Sequence, residues 1–381
     1  MDSNYTQRIQ DRRQVIEDHA DHVLGCIPGP SGPHDEQHHA LYNGSVGGVE
    51  SVRELYAYLL GNYLPQRYPT LFAVEEEEEG AEVVGESCST NAGGPLEVGH
   101  EEGAAVDRTA REEDVSTSSS GRQTKIMTTT RIFHNKITGA RFPAELPPLA
   151  PTDTKAAIEA LKILGETVED DLLLLQQDPS SSSSPSPSPL PPAGSGSSGT
   201  RDNAGGESAP GAGLHRLVAT ITCNPSGFDP AEKMGKVLRE IHAPVPSYSK
   251  IERSMERFFS RLEVGKSSCR VNWSITTNPV LFNLASNHIK EGQQVDEDEE
   301  IDVTKAFLRC ELQTTTRLPR TRAVLFSFKT FMYPLPELRD EGIGPELADA
   351  IEGLRAGNAP GMWVYKGAVR WAEPVCEYLR S

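Results

Sequence analysis

Two stretches of this 381-residue chain hold almost nothing that a hydrophobic core can use. Residues 73–125 pass from EEEEEG through Gly-rich pieces to VSTSSSGRQ, and residues 177–213 read DPSSSSSPSPSPLPPAGSGSSGTRDNAGG and onward in the same vein. Like charges repel, and Ser, Pro and Gly have little to bury, so both stretches are expected to be disordered inserts. The foldable text is then three blocks: an N-terminal helical part at 1–72, its continuation at 126–176, and a main α+β part at 214–381. Hydrophobic residues at 36% and a net charge of -18 fit a globular core that carries such inserts.

The same charge balance disfavours nucleic acid as a partner, because a phosphate backbone needs a concentrated basic surface. Apolar runs such as Leu172–Leu175 are far too short to span a bilayer, so no transmembrane segment is expected. MDSNYTQRIQDRR lacks an apolar core, so no signal peptide is expected either. Cysteines at 26, 88, 223, 269, 310 and 376 form no CxxC pair. Reduced thiols in a cytoplasmic compartment follow more simply than a zinc knuckle or a disulfide framework.

Periodicity fills in the blocks. ESVRELYAYLLGNYL places Val52, Leu55, Tyr56, Leu59 and Leu60 at helical spacing. Ala156, Ala157, Leu161, Leu164 and Val168 predict a second helix running on toward the leucines at 172–175. LHRLVATITC, CRVNWSI and AVLFSFKTF alternate as strands, with Arg270, Asn272 and Ser274 on a polar face opposite Cys269, Val271, Trp273 and Ile275. Strands mixed with helices, without regular βαβ alternation, predict an antiparallel sheet with helices packed on it.

One histidine stands out. FDPAEKMGKVLREIH reads as a helix with Asp229 as cap, Pro230 in the first turn and Glu232 completing a capping box. Met234, Val237, Leu238 and Ile241 share an arc, and His242 lies at its edge. Gly235 would leave room beside the ring for something flat, and AlaProValPro ends the helix there. A histidine at a helix C-terminus also serves simply to cap the last carbonyls, and the residues alone leave both readings open. His34, His38 and His39 fall in a Gly/Pro-rich loop, and His19, His22, His134, His215 and His288 default to structural or surface roles.

These segments resemble the haem-dependent oxidative N-demethylase family. The likeness is carried by FDPAEKMGKVLREIHAPVPSY, MERFFSRLEVGKSSCRVNWSI and ELQTTTRLPRTRAVLFSFKTFMYPL, with DRRQ, YLPQRYP at 63–69 and ALKILGETVEDDLLLL at 160–175 in support. The resemblance implies an α+β, PAS-like antiparallel sheet with flanking helices around a haem pocket. It implies a monooxygenase that oxidatively removes an N-methyl group from a small methylated amine, uses dioxygen, and releases formaldehyde. It implies haem b, held by His242 as metal ligand, and electrons from a separate NAD(P)H-dependent reductase carrying flavin and an iron–sulfur centre. Arg270 is the natural propionate partner, with Arg257 and Arg317 in reserve, and Tyr248 and Trp273 would line the substrate pocket. Tyr365 and Lys366 in WVYKG match a family motif that brings no mechanism with it. The chain shows no GxGxxG after a strand, no GxxxxGK[ST] and no cysteine cluster, so a reductase would be another polypeptide. Two further readings stay open on the sequence: a haem-binding PAS-like sensor or carrier without catalysis, and an interaction protein that has lost haem.

Overall fold

A computed structural model describes residues 3–31, 47–82, 125–178, 213–285, 287–289, 293 and 300–381. The expectations for Cys88, for His34, His38 and His39, and for most of the two inserts concern residues outside that set. The chain divides into two compact units, one formed by 1–56 with 147–381, the other by 57–146.

The larger unit is built on a six-stranded sheet in the order β1-β6-β5-β9-β8-β7. Its strands are β1 (Leu24–Cys26), β5 (Asp171–Gln177), β6 (His215–Ile221), β7 (Ser267–Thr276), β8 (Phe307–Arg317) and β9 (Val324–Pro334). Every pairing is antiparallel. The expected mixed α+β class is therefore the observed one. Helix α1 (Tyr5–Val23) and helix α4 (Thr154–Gly165) lie at the β1–β6 side, where a Cβ on Gly165 would meet Ile221 at 2.7 Å and Ile16 at 3.0 Å. That close approach explains a glycine on a buried helix face. At the other edge, Trp371, Val375 and Leu379 of α10 (Ala368–Arg380) pack with Ile351 of α8 (Gly344–Ala356) and Ile275 of β7.

Three sequence expectations change here. The leucines at 172–175 do not continue a helix: α4 stops at Gly165, and the leucines form β5 between β6 and β9. Covered on both faces, that strand reads as a continuous apolar run, which local periodicity cannot tell from a buried helix. The alternation of β7 does not sort into one buried and one exposed face. Arg270, Val271 and Asn272 are all exposed, Val271 by 59%, and burial begins at Ser274. Glu311 and Gln313 of β8, paired with Asn272 and Arg270, are each 8% exposed. The long helix expected through 229–242 is two short pieces, a 3-10 turn at Ala231–Lys233 and one helical turn, α5, at Leu238–Ile241. Gly235 divides them with φ +73°, donating its N–H to Leu217 and lending its carbonyl to Arg216. Its job is that left-handed bend on β6, not room for a flat ligand.

The smaller unit carries a three-stranded sheet, β2 (Phe72–Glu82), β3 (Lys125–Asn135) and β4 (Arg141–Pro143). Residues 73–82, expected to be disordered, are thus a strand. Register runs unbroken from Phe72↔Asn135 to Glu82↔Lys125. Cross-strand partners offset the charge repulsion: His134 and Arg141 reach Glu75 at 3.0 and 2.7 Å, and Arg141 also reaches Glu77. Phe72 stacks on Phe133 at 5.4 Å to anchor the pair.

In the same unit, α2 (Val49–Tyr58), which begins in the larger unit, passes into a π-helical turn at Leu59–Tyr63 and then α3 (Leu64–Arg67). Val52, Leu55, Tyr56, Leu59 and Leu60 are all buried, as their spacing predicts. Among the described residues no helix is long and apolar enough to cross a membrane.

Candidate functional site: a cleft with two tyrosine-stacked imidazoles

His242 sits directly after α5. Glu240 accepts the Val237 N–H at 3.0 Å to start that turn, and the His242 backbone N–H closes it on the Leu238 carbonyl at 2.9 Å. The same carbonyl lies 2.8 Å from His242 Nδ1. A carbonyl only accepts, so Nδ1 carries the hydrogen and Nε2 keeps its lone pair. Burial pushes the imidazole below its ordinary range, the Leu238 bond opposes this, and the charges of Arg270 and Lys233 reinforce the lowering. The ring is neutral at pH 7 and fixed in one tautomer.

The chain then reverses. Val245 N–H bonds the His242 carbonyl, Tyr248 N–H bonds Val245, and Ser247 takes a left-handed φ of +60°. The reversal lays the Tyr248 ring on His242 at 4.7 Å with an interplanar angle of 8°. Burial raises the Tyr248 phenol to about 12, so it stays protonated, and its hydroxyl donates to Met255 sulfur.

Tyr248 lines a cleft of about 570 Å³ together with Arg239, Pro246, Ile289, Val364 and Tyr365. Tyr365 of this cleft carries a second imidazole behind it. His288 stacks on Tyr365 at 4.4 Å and 17°. Its Nδ1 is the nitrogen that faces Gly227. Burial, then the Lys366 charge, pushes it down to about 4. Glycine is required at 227: φ is +71°, and a Cβ there would come within 2.5 Å of His288 Nδ1.

The loop carrying His288 is tied down by buried polar groups. Thr276 donates to Asn287, which accepts also from Asn283 and donates to Ser226, at 3.0, 3.0 and 2.9 Å. Arg309 of β8, 1% exposed, bonds the carbonyls of Asn224 and Leu281 and so stitches both loops to the sheet. The Ile289 N–H donates to the Tyr365 carbonyl.

The paired strands β7 and β8 carry a polar network. Arg270 donates to Gln313 at 2.8 Å, while Gln313 and Asn272 both donate to Glu311. Lys366 closes the set from α9 (Met362–Tyr365), donating to Asn272 and to the Trp273 carbonyl while its ammonium lies 5.4 Å over the Trp273 ring. Burial lowers Lys366 to about 8, against the pull of Glu311.

Tyr248 stacks on His242, the charge of Arg270 acts on that ring, Trp273 sits under Lys366, and the reserve arginines lie elsewhere. Arg317 spends its guanidinium on the carbonyls of Leu262, Phe259 and Arg322, so it holds α6 (Glu252–Arg261) to the sheet. Arg257 borders a separate surface cleft with Phe258, Arg261 and Lys266. Sequence reading missed the parts played by His288, Glu311 and Arg239. His288 has no local pattern that marks it; Gly227 and Asn287, which place its ring, lie on either side of strand β7.

Fold and site together define an α+β protein with a cleft walled by Tyr248 and Tyr365, each stacked on an imidazole, of which His242 is pinned by the Leu238 carbonyl. A family model described as haem-dependent oxidative N-demethylase, alpha subunit-like, matches residues 1–105 and 121–376, and the chain belongs to that family.

Proposed function

We propose that this chain is the haem-binding, PAS-like subunit of an oxidative N-demethylase, acting on a small methylated amine with electrons delivered by a separate reductase. The observation that carries the reading is the His242 tautomer. A metal-ligating imidazole characteristically donates its other N–H to a carbonyl or carboxylate, and His242 does so through Nδ1 to Leu238. The residues present therefore fit haem: Nε2 of His242 as ligand, Tyr248 bracing the ring, and Arg270 with Arg239 as cationic partners for the propionates.

Bound there, haem supplies reductive dioxygen activation, which converts an N-methyl group, one O₂, two electrons and two protons into formaldehyde, demethylated amine and water. The chain's own residues hold and shape the site. The Leu238 carbonyl keeps His242 from rotating and raises the basicity of Nε2. Faces of Tyr248 and Tyr365 offer π surfaces to an ammonium group. Trp273 already carries Lys366 on its ring, so the tyrosines are the better substrate walls.

The absorption spectrum of the purified, haem-supplied chain tests this. A Soret band that His242→Ala abolishes, with the far-UV circular dichroism unchanged, is the expected result, and an unchanged band in that variant rules out the ligand. Formaldehyde release and reductant consumption that depend on amine separate the enzyme from a sensor, which would bind haem and release none.

A further inference from the structure

We propose that the outward face of α6 is where the electron-donating partner docks, through an acidic face of its own; this rests on the haem reading above. Arg253, Arg257 and Arg261 recur every fourth residue along α6, so they form one ridge, and all three are exposed. Exposed arginines elsewhere find carboxylates: Arg131 pairs with Glu145, Arg141 with Glu75, and Arg380 with Asp349 and Glu352. The α6 ridge has no ion-pair partner among the described residues, in a chain of net charge -18. Like charges four apart weaken a helix, and an anionic partner relieves that repulsion. Beside the ridge Phe258 is 42% exposed and borders, with Arg257 and Arg261, a cleft of about 330 Å³. Lys266 also lines the cleft but is paired with Glu263 at 3.2 Å. Guanidinium groups around an exposed aromatic ring are the composition that protein interfaces favour.

The inward face of α6 decides between kinds of partner. Met255 and Phe259 pack with Leu175, Leu238 and Val324, so the apolar side of the helix is occupied. Of the helix's own apolar residues only Phe258 faces outward, too little for insertion into a lipid surface. The same inward face leads to His242. Phe258 lies 5.6 Å from Phe259, and Phe259 shares an apolar cluster with Met255. Tyr248 donates to Met255 sulfur at 3.6 Å and stacks on His242 at 4.7 Å. A donor seated on the ridge therefore abuts a continuous line of contacts that ends at the imidazole assigned to the iron. One electron leaves a reduced iron–sulfur centre of the donor and reduces ferric iron here, and two such encounters supply each turnover.

The test titrates the full chain with oxidised plant-type [2Fe–2S] ferredoxin, an acidic one-electron carrier, by isothermal titration calorimetry. It then times reduction of the haem-loaded chain by the reduced ferredoxin, read as growth of the carbon monoxide Soret band. Arg257→Glu with Arg261→Glu should weaken binding and slow reduction by about tenfold at low salt, with the corresponding glutamine pair in between. Raised salt should bring the wild type toward the variants. Lys155→Glu with Lys162→Glu, two exposed lysines of α4, changes the charge equally and should leave both readings unaltered. Reduction by dithionite and the far-UV circular dichroism should be the same throughout, which guards against a folding defect. No binding by the wild type, equal binding by the α6 variants, or equal loss in the α4 control would overturn the proposal. So would binding to phosphatidylserine vesicles in place of ferredoxin, or a wild-type dimer that the α6 substitutions dissociate. A wild type that binds ferredoxin through α6 yet shows no Soret band overturns the haem reading and leaves the docking face standing.

Discussion

The two tyrosine-stacked imidazoles are placed by different routes. For the first, His242, its pinning carbonyl Leu238 and its brace Tyr248 all lie within eleven consecutive residues. The other, His288, depends on Gly227, sixty-one positions earlier, and on Tyr365, seventy-seven later. A local device is assembled by one helical turn and a proline-braced reversal. A non-local one exists only when the loops at 224–227 and 276–289 and the short helix α9 have met. The difference teaches that equal geometry need not mean equal robustness: damage to the global packing should reach His288 first.

The largest expected effect is at Gly227. Gly227→Ala combines a left-handed φ with a Cβ placed 2.5 Å from the His288 ring, and should cost roughly 2–3 kcal/mol in urea unfolding. In the same variant His242 should keep its Nδ1–H tautomer, read from long-range ¹H–¹⁵N spectra of the imidazoles. Equal disturbance of both rings would break the comparison.

Asn287→Ala comes next. It strips partners from Thr276, Asn283 and Ser226 at once, and should destabilise by roughly 1–3 kcal/mol, with hydrogen exchange quickening at Ile289 before Tyr248.

A pH scan sharpens the contrast, since the Lys366 charge acts on His288. Its folded value near 8 lies below the ordinary 10.5, so the unfolded chain binds the proton more tightly. Stability should therefore rise between pH 8 and 10.5 by at most about 1.4 kcal/mol per unit, and Lys366→Met should flatten that slope. An unchanged slope in the variant would mean that the ammonium is not desolvated.

The smallest effects belong to the braces. Tyr248→Leu and Tyr365→Leu should each remove about 0.5–1.5 kcal/mol of stacking, seen as a small shift in unfolding midpoint.

Much of the fold was legible wherever one segment carried its own instruction. The buried stripe Val52, Leu55, Tyr56, Leu59 and Leu60 follows from helical period, and β6, β7 and β9 follow from alternation. The polar pairing across β7 and β8 was not legible: Arg270 and Asn272 are exposed, and only the strand register sets Gln313 and Glu311 beside them. The glutamate run from Glu75 failed in the same way, because its repulsion is offset by His134 and Arg141, sixty residues away.

The sequence by itself determined that His242 ends a turn, that Pro244 and Pro246 hold its exit, and that Tyr248 follows close behind. Neighbours in the chain cannot escape one another, so such constraints act before anything else folds. Only the tertiary structure decided that the leucines of β5 form a strand and that His288 stacks on Tyr365. Burial and pairing depend on which distant segments arrive, and no local pattern encodes that arrival.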